Sequence, residues 1–308
     1  MQRYLAICWF ACLFGLWAPA GGAALRYDAL GASDAVGIGA SSPGANGQPN
    51  NGYVYLLANW LTARYPHWTL ENRGVEGLTA PEIRDQELNP AILAQPDIVT
   101  LWAGANDVRV SIQKQETTAV LQSGFELAYT TILSRLRGET HAFIVTANIP
   151  DLSLVPSAVF LTAPLRQLAH DDSLAVNQSI ARVAAAYGVP VIDLFSDPTS
   201  YDPANFWVDG FHPNDQGYLI LAMRFEAVLQ AGAWRKVSGL GDVNGDGVID
   251  IADAAALLSG IGGMSSASNR QAVAGDVAPP GGDGRIDITD AVFIARRVAG
   301  LVPDGDWR

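Results

Sequence analysis

Cysteine is nearly missing from this chain. Its only two, Cys8 and Cys12, fall in an apolar leader, so no thiol remains beyond residue 24. That excludes disulfide scaffolding and thiolate chemistry in the rest of the protein. Lysine is as scarce, with Lys114 and Lys236 the only two. The 19 basic residues face 31 acidic ones, a net charge of −12, and they form no basic stripe. Nucleic acid and anionic membrane are therefore poor partners for it. Long apolar runs are absent after residue 17. What is abundant is apolar residues, 49% against 16% charged, too many for a disordered chain and enough for one large or two modest cores across 308 residues.

Arg3, the uncharged run 4–17 and the small-residue stretch 18–24 have the three-part order of a secretory signal peptide. The run is short for a membrane span. Cleavage after Ala20, Ala23 or Ala24 fits the pattern equally. The expectation is a cleaved leader over 1–24 and a secreted or cell-surface bacterial protein.

Beyond the leader the chain has two blocks. Residues 25–232 alternate short apolar runs with helical ones. The pattern predicts strands at 26–31, 69–72, 97–103, 142–147 and 189–194, and helices at 53–65, 81–88, 117–137, 168–187 and 215–230. Such alternation implies α/β architecture with a five-stranded parallel sheet covered on both faces. Functional residues then belong at the carboxyl ends of the strands. A linker is expected at 233–240 and a second unit at 241–302.

Ser33 directly follows the first strand, and by itself reads equally as a turn or helix-capping residue. Asp209-Gly210-Phe211-His212 precedes the last helix. A hydroxyl becomes a nucleophile when a base takes its proton, and an imidazole oriented by a carboxylate does that near neutrality. Of four histidines, His67, His141 and His170 lack such a setting and are expected to be surface or structural. Asn106 follows the third strand and offers an amide N–H at the same edge. Gly74 and Gly77 follow the second strand, where a glycine lets a backbone N–H approach a substrate oxygen. These donors and the Ser33 N–H suit an oxyanion hole. Trp102, Phe206 and Trp207 are expected in the core, and residues 155–165 either as one wall of a cleft or as ordinary loop packing.

Taken in this order, the four blocks resemble the SGNH (GDSL-like) hydrolase superfamily over essentially all of 25–230. Gly31-Ala32-Ser33-Asp34 is a variant, with Ala32 where the family more commonly has Asp. The resemblance implies a three-layer flavodoxin-like fold. It also implies Ser33 as nucleophile, Gly77 (Gly74 in the other register) and Asn106 as oxyanion donors, and Asp209 and His212 as the acid–base pair. No cofactor is implied for catalysis.

The second unit has ten aspartates and no glutamate after residue 240. Two segments repeat: 241–253 recurs as 275–290, each copy leading into an apolar helix, expected at 254–261 and 291–298. Asp242, Asn244, Asp246, Asp250 and Asp253 occupy loop positions 1, 3, 5, 9 and 12, with Val248 able to give its carbonyl at position 7. Hard oxygen donors at this spacing are calcium chemistry. In the second copy Asp276 is three residues further from Asp283, while Asp283, Asp287 and Asp290 keep the later spacing. The tail resembles a type I dockerin, a small all-α calcium-binding domain, which implies structural Ca2+ and a cohesin-like protein partner. Positions 10 and 11 of the two loops are Ile251-Ala252 and Ile288-Thr289.

The expectation is a secreted serine esterase acting on an acylated carbohydrate (acetyl) or, as a lysophospholipase-like lipase, on a lipid. The alternative is a calcium-dependent cell-surface or scaffold binding protein whose SGNH domain is not catalytic.

Overall fold

The computed structural model describes residues 25–64, 68–231, 241–244, 249–263, 274–278 and 285–302. The expected leader and linker, His67, Asp246, Val248 and Asp283 lie outside the described residues.

Strands β1 (Leu25–Gly31), β2 (Trp68–Asn72), β3 (Ile98–Trp102), β4 (Phe143–Ala147) and β5 (Val191–Ile192) form one parallel sheet in the order β2-β1-β3-β4-β5. Every residue of β3 and β4 is buried, as continuous apolar runs in a doubly covered sheet require. Strand β5 pairs over two residues where six were expected. Pro190 has no N–H to give a ladder, which suits this segment to a sheet edge.

The helices are α1 (Ser33–Val36), α2 (Tyr53–Arg64), α3 (Ala80–Gln86), α4 (Leu88–Ala94), α5 (Ala105–Lys114), α6 (Thr118–Glu139), α7 (Ala163–Ala186) and α8 (Asp215–Gln230). One face of the sheet packs on α2 and α8 through Tyr27, Ala29, Leu57, Tyr218 and Phe225. The other packs on α3 to α7 through Leu30, Val99, Leu101, Phe125 and Ile180. The single helix expected at 81–88 is two. Pro90 cannot donate to the carbonyl of residue 86, so the chain breaks at Glu87 and restarts. Helix α5 was not expected at all. Its inward face carries Asn106, Asp107 and Ser111 beside Val108, so it lacks the apolar period that reveals a helix.

The order of strands reverses between β1 and β3, which are hydrogen-bonded neighbours though not consecutive. Ser33 follows one and Asn106 the other, so both stand at the switch-point crevice.

In the tail, helices Ile251–Ile261 and Ile288–Val298 pack around Val243, Leu257, Val277 and Ile294. Both begin three residues before the expected positions. Asp250 with Asp253, and Asp287 with Asp290, form capping boxes that satisfy the first free N–H groups.

Candidate active site

Strand β1 ends in Gly31, whose backbone is pressed against β3. A Cβ there would come within 2.8 Å of the Trp102 carbonyl oxygen, so only glycine fits. The Gly31 N–H donates to Glu87 Oε2 at 2.9 Å. The chain then turns into α1, and Ser33 is buried in the first position.

On the far side of the crevice a tight loop precedes α8. Trp207 N–H donates to the His212 carbonyl at 2.8 Å, and Gly210 N–H to the Trp207 carbonyl at 2.9 Å. Inside it, Asp209 Oδ1 accepts the N–H groups of Phe211 (2.9 Å) and His212 (3.0 Å). Asp209 Oδ2 lies 2.5 Å from His212 Nδ1, and His212 Nε2 lies 2.9 Å from Ser33 Oγ. Partial burial works against ionisation of Asp209, but the hydrogen bonds from the ring and the two N–H groups outweigh it. They hold its carboxyl below the ordinary carboxylate range. A carboxylate on one ring nitrogen leaves the other free to accept the serine proton.

The residues expected to face a developing oxyanion follow the neighbouring strands, Gly74 and Gly77 after β2 and Asn106 after β3. Asn106 spends one amide N–H on the Leu78 carbonyl at 3.1 Å, and its oxygen accepts from Arg109 Nε at 3.2 Å. One amide N–H is left over. The next residue, Asp107, accepts the Ala80 N–H with both oxygens, at 3.1 and 3.0 Å. Asn106 and Asp107 thus hold the two ends of residues 78–80, just past the glycines. Gly74 donates to Asn72 Oδ1 at 3.1 Å, and a Cβ on it would come 2.6 Å from that of Ala35. Gly74 therefore lets the loop after β2 rest on α1. Gly77 has φ +84°, open space around it and an N–H with no partner among the described residues.

Burial pushes Glu87 up to about 8 and Asp107 up to about 7. Both are neutral over part of the physiological range, yet each still accepts a backbone N–H. No sequence signal marks these roles, because a carboxylate among polar neighbours ordinarily reads as part of a solvated surface.

A cleft of about 680 Å³, solvent at its mouth included, opens beside the Ser33–His212 pair. Trp102, Leu152, Val155, Phe206 and Phe211 give it mostly apolar walls, with Asp34 at one edge. A smaller hollow of about 230 Å³ reaches Asn106 and Leu78 and shares Asp34, Trp102 and Ala105 with the first. Val155 lines the cleft as expected of the wall, but Val159 and Phe160 point to solvent.

One expectation needs correction, and another is met through a partner that was not foreseen. His170 is hydrogen-bonded, as a structural histidine, to a carboxylate: its Nδ1 lies 2.6 Å from Asp151 Oδ2. Asp151 Oδ1 also accepts the Ser153 N–H at 2.9 Å, so the pair braces the cleft wall. Their separation of 19 positions hid it, and α7 begins five residues earlier than expected. Trp207 is exposed and not in the core, since closing the loop on His212 leaves its ring at the rim. Trp102 is buried, with its indole N–H on the Asn148 carbonyl at 3.1 Å. His141 is exposed.

In the tail, Asp253 Oδ1 accepts the Asn244 N–H at 3.0 Å and Oδ2 the Asp250 N–H at 2.8 Å. Asp290 does the same for Val277 and Ala278 (2.8 Å each) and Asp287 (2.9 Å). Among the described residues no three His, Cys, Asp or Glu side chains group as a cation site. The described donors, Asp242, Asn244, Asp250 and Asp253, are all oxygen, which fits calcium.

The GDSL-like lipase/acylhydrolase family model matches residues 29–220, and the dockerin type I domain model matches 240–299. Among solved structures, LAE5, an alpha/beta hydrolase enzyme from the metagenome of Lake Arreo, Spain, is 23% identical. The match covers 69% of this chain and 97% of that one, with TM-score 0.52. The acetylxylan esterase Axe2 of Geobacillus stearothermophilus is 20% identical over 67% of this chain and 94% of its own, with TM-score 0.50. The lipase Lip_vut3 from a goat rumen metagenome is 21% identical over 66% and 96%, with TM-score 0.52. At these identities the likeness is one of fold. No curated protein matches the chain.

Proposed function

Since the chain belongs to the GDSL-like lipase/acylhydrolase family of carboxylic ester hydrolases and carries a dockerin type I domain, we propose a secreted serine esterase that deacylates carbohydrate. The reading rests on the unbroken relay from Ser33 Oγ through His212 to Asp209, with contacts of 2.9 and 2.5 Å.

Ser33 Oγ attacks the ester carbonyl carbon while His212 Nε2 takes its proton. Asp209 holds the ring by Nδ1–H and stabilises the imidazolium. The carbonyl oxygen becomes an oxyanion between the N–H groups of Ser33 and Gly77 and the free amide N–H of Asn106. As the C–O bond breaks, the imidazolium protonates the leaving alcohol. Water, deprotonated by His212, then attacks the acyl-serine, and its collapse returns the proton to Ser33 and releases the acid.

An acetylated polysaccharide is the favoured substrate, because the dockerin domain suits attachment to a cohesin-bearing scaffold on which polysaccharide enzymes gather. Asp242, Asn244, Asp250 and Asp253 would hold calcium in the tail, where it would relieve the repulsion of clustered carboxylates. The apolar walls of the cleft support a second reading, a lipase acting on longer acyl chains. A panel of p-nitrophenyl esters of increasing chain length, beside acetylated xylan, separates these. Acetate release from xylan and falling rates beyond short chains are expected. Hydrolysis of long-chain esters alone supports the lipase, and hydrolysis of none supports a binding protein.

A further inference from the structure

We propose that Asp34 sets the specificity of the site by accepting a hydrogen bond from a free hydroxyl of a polyol ester, on the carbon next to the esterified one. The inference rests on ester hydrolysis at Ser33.

Among the described residues Asp34 is the only ionisable side chain that borders either hollow beside Ser33, and it borders both. Among the described residues no other side chain bonds to it; its own backbone N–H is its one donor. The residue before the nucleophile, Ala32, is buried against the apolar cluster of Leu78 and Ala103. Ala32 borders only the smaller hollow, whereas Asp34 reaches the larger cleft as well. Desolvation in the cleft pushes its carboxyl up to about 6, against the pull of His212.

A carboxylate held among apolar walls with a single backbone donor is costly, and a bound ligand can provide a further one. An ammonium group would do so by placing positive charge next to His212, which must itself become an imidazolium. Asp34 and His212 attract one another, and a bound cation would cancel that attraction. A hydroxyl donates its hydrogen bond and leaves the negative charge in place. The reach also fits. Neighbouring Cα atoms are about 3.8 Å apart, so an acceptor on residue 34 serves a group a few bonds from the carbonyl that residue 33 attacks, as a hydroxyl on the carbon next to the esterified one is.

The test compares kcat/KM of the full chain for trans-2-hydroxycyclohexyl acetate with that for cyclohexyl acetate, which lacks only the hydroxyl. Wild type should favour the first by roughly ten- to hundredfold. In Asp34→Ala that ratio should fall towards one, mainly through a higher KM for the hydroxylated ester. Asp34→Leu, which has a similar shape and no acceptor, carries the same comparison if the alanine variant does not fold. A wild-type ratio near one overturns the proposal, as does a ratio that survives in folded Asp34→Ala or a loss that strikes both esters equally. A third pair, acetylcholine and 3,3-dimethylbutyl acetate, exposes the rival. Preference for the cation that disappears in Asp34→Ala assigns Asp34 to ammonium binding and overturns the hydroxyl role. Failure of wild type on every ester is a different result, since it removes the hydrolytic reading itself and the specificity role with it.

Discussion

His212 Nε2 meets Ser33 Oγ at 2.9 Å across 179 residues of chain. Neither element can bring this about alone. Strand β1 delivers the hydroxyl to the switch-point crevice, and the loop closed by Trp207 delivers the ring. Asp209 fixes that ring from within the same loop, so Asp209→Asn should leave the fold intact and disturb the tautomer. We expect kcat to fall by roughly two to four powers of ten, with an unchanged melting temperature. Steady-state kinetics with p-nitrophenyl acetate measure it; a loss below tenfold would mean that the ring needs no carboxylate.

Asn106 divides its amide between Leu78 and the proposed oxyanion site. Asn106→Ala should lower kcat by about a hundred- to a thousandfold with KM little changed. It also strips the Leu78 carbonyl of a buried donor, at a cost of about 1–3 kcal/mol. Kinetics below the melting temperature of the variant separate the two effects. A change confined to stability would remove Asn106 from the oxyanion site.

Glu87 and Asp107 make stability depend on pH. Each keeps its proton in the folded chain up to about 8 and about 7, whereas the unfolded chain loses it in the ordinary carboxylate range. Their contribution is whole in acid below that range and is lost as pH rises through it towards 8. One such proton gives a slope of at most about 1.4 kcal/mol per pH unit. Melting of wild type should therefore worsen from pH 5 to 8.5, and Glu87→Gln should flatten that decline. An identical slope in the variant would show that Glu87 titrates normally.

The tail offers a separate measurement. Calorimetry of the full chain should show one transition that rises with about millimolar calcium and falls with chelator, as mass action requires for a ligand of the folded state. The catalytic unit should not respond. A thermogram indifferent to both additions contradicts calcium binding by Asp242, Asn244, Asp250 and Asp253.

Much of this molecule was legible in its sequence where burial and periodicity coincide. Strands β3 and β4 are continuous apolar runs, and α8 has the expected bounds because Asn214 caps it on the N–H groups of Gln216 and Gly217. The residues of the relay were legible as a family pattern. Their supports were not. Helix α5 turns Asn106 and Asp107 inward, so function erased the period that would have marked it. Glu87 and Asp107 bond to main-chain N–H groups, and no side-chain pattern announces such a partner. The His170–Asp151 pair depends on where a long helix begins, which periodicity places only to within a turn.

Labelling with a fluorophosphonate probe tests the central claim most directly. It reports whether one serine is activated, whatever the natural ester. Intact-mass and peptide analysis of wild type should find a single adduct on Ser33, absent from Ser33→Ala and strongly slowed in His212→Ala. Unlabelled wild type, or an adduct on another residue that persists in Ser33→Ala, would contradict the account.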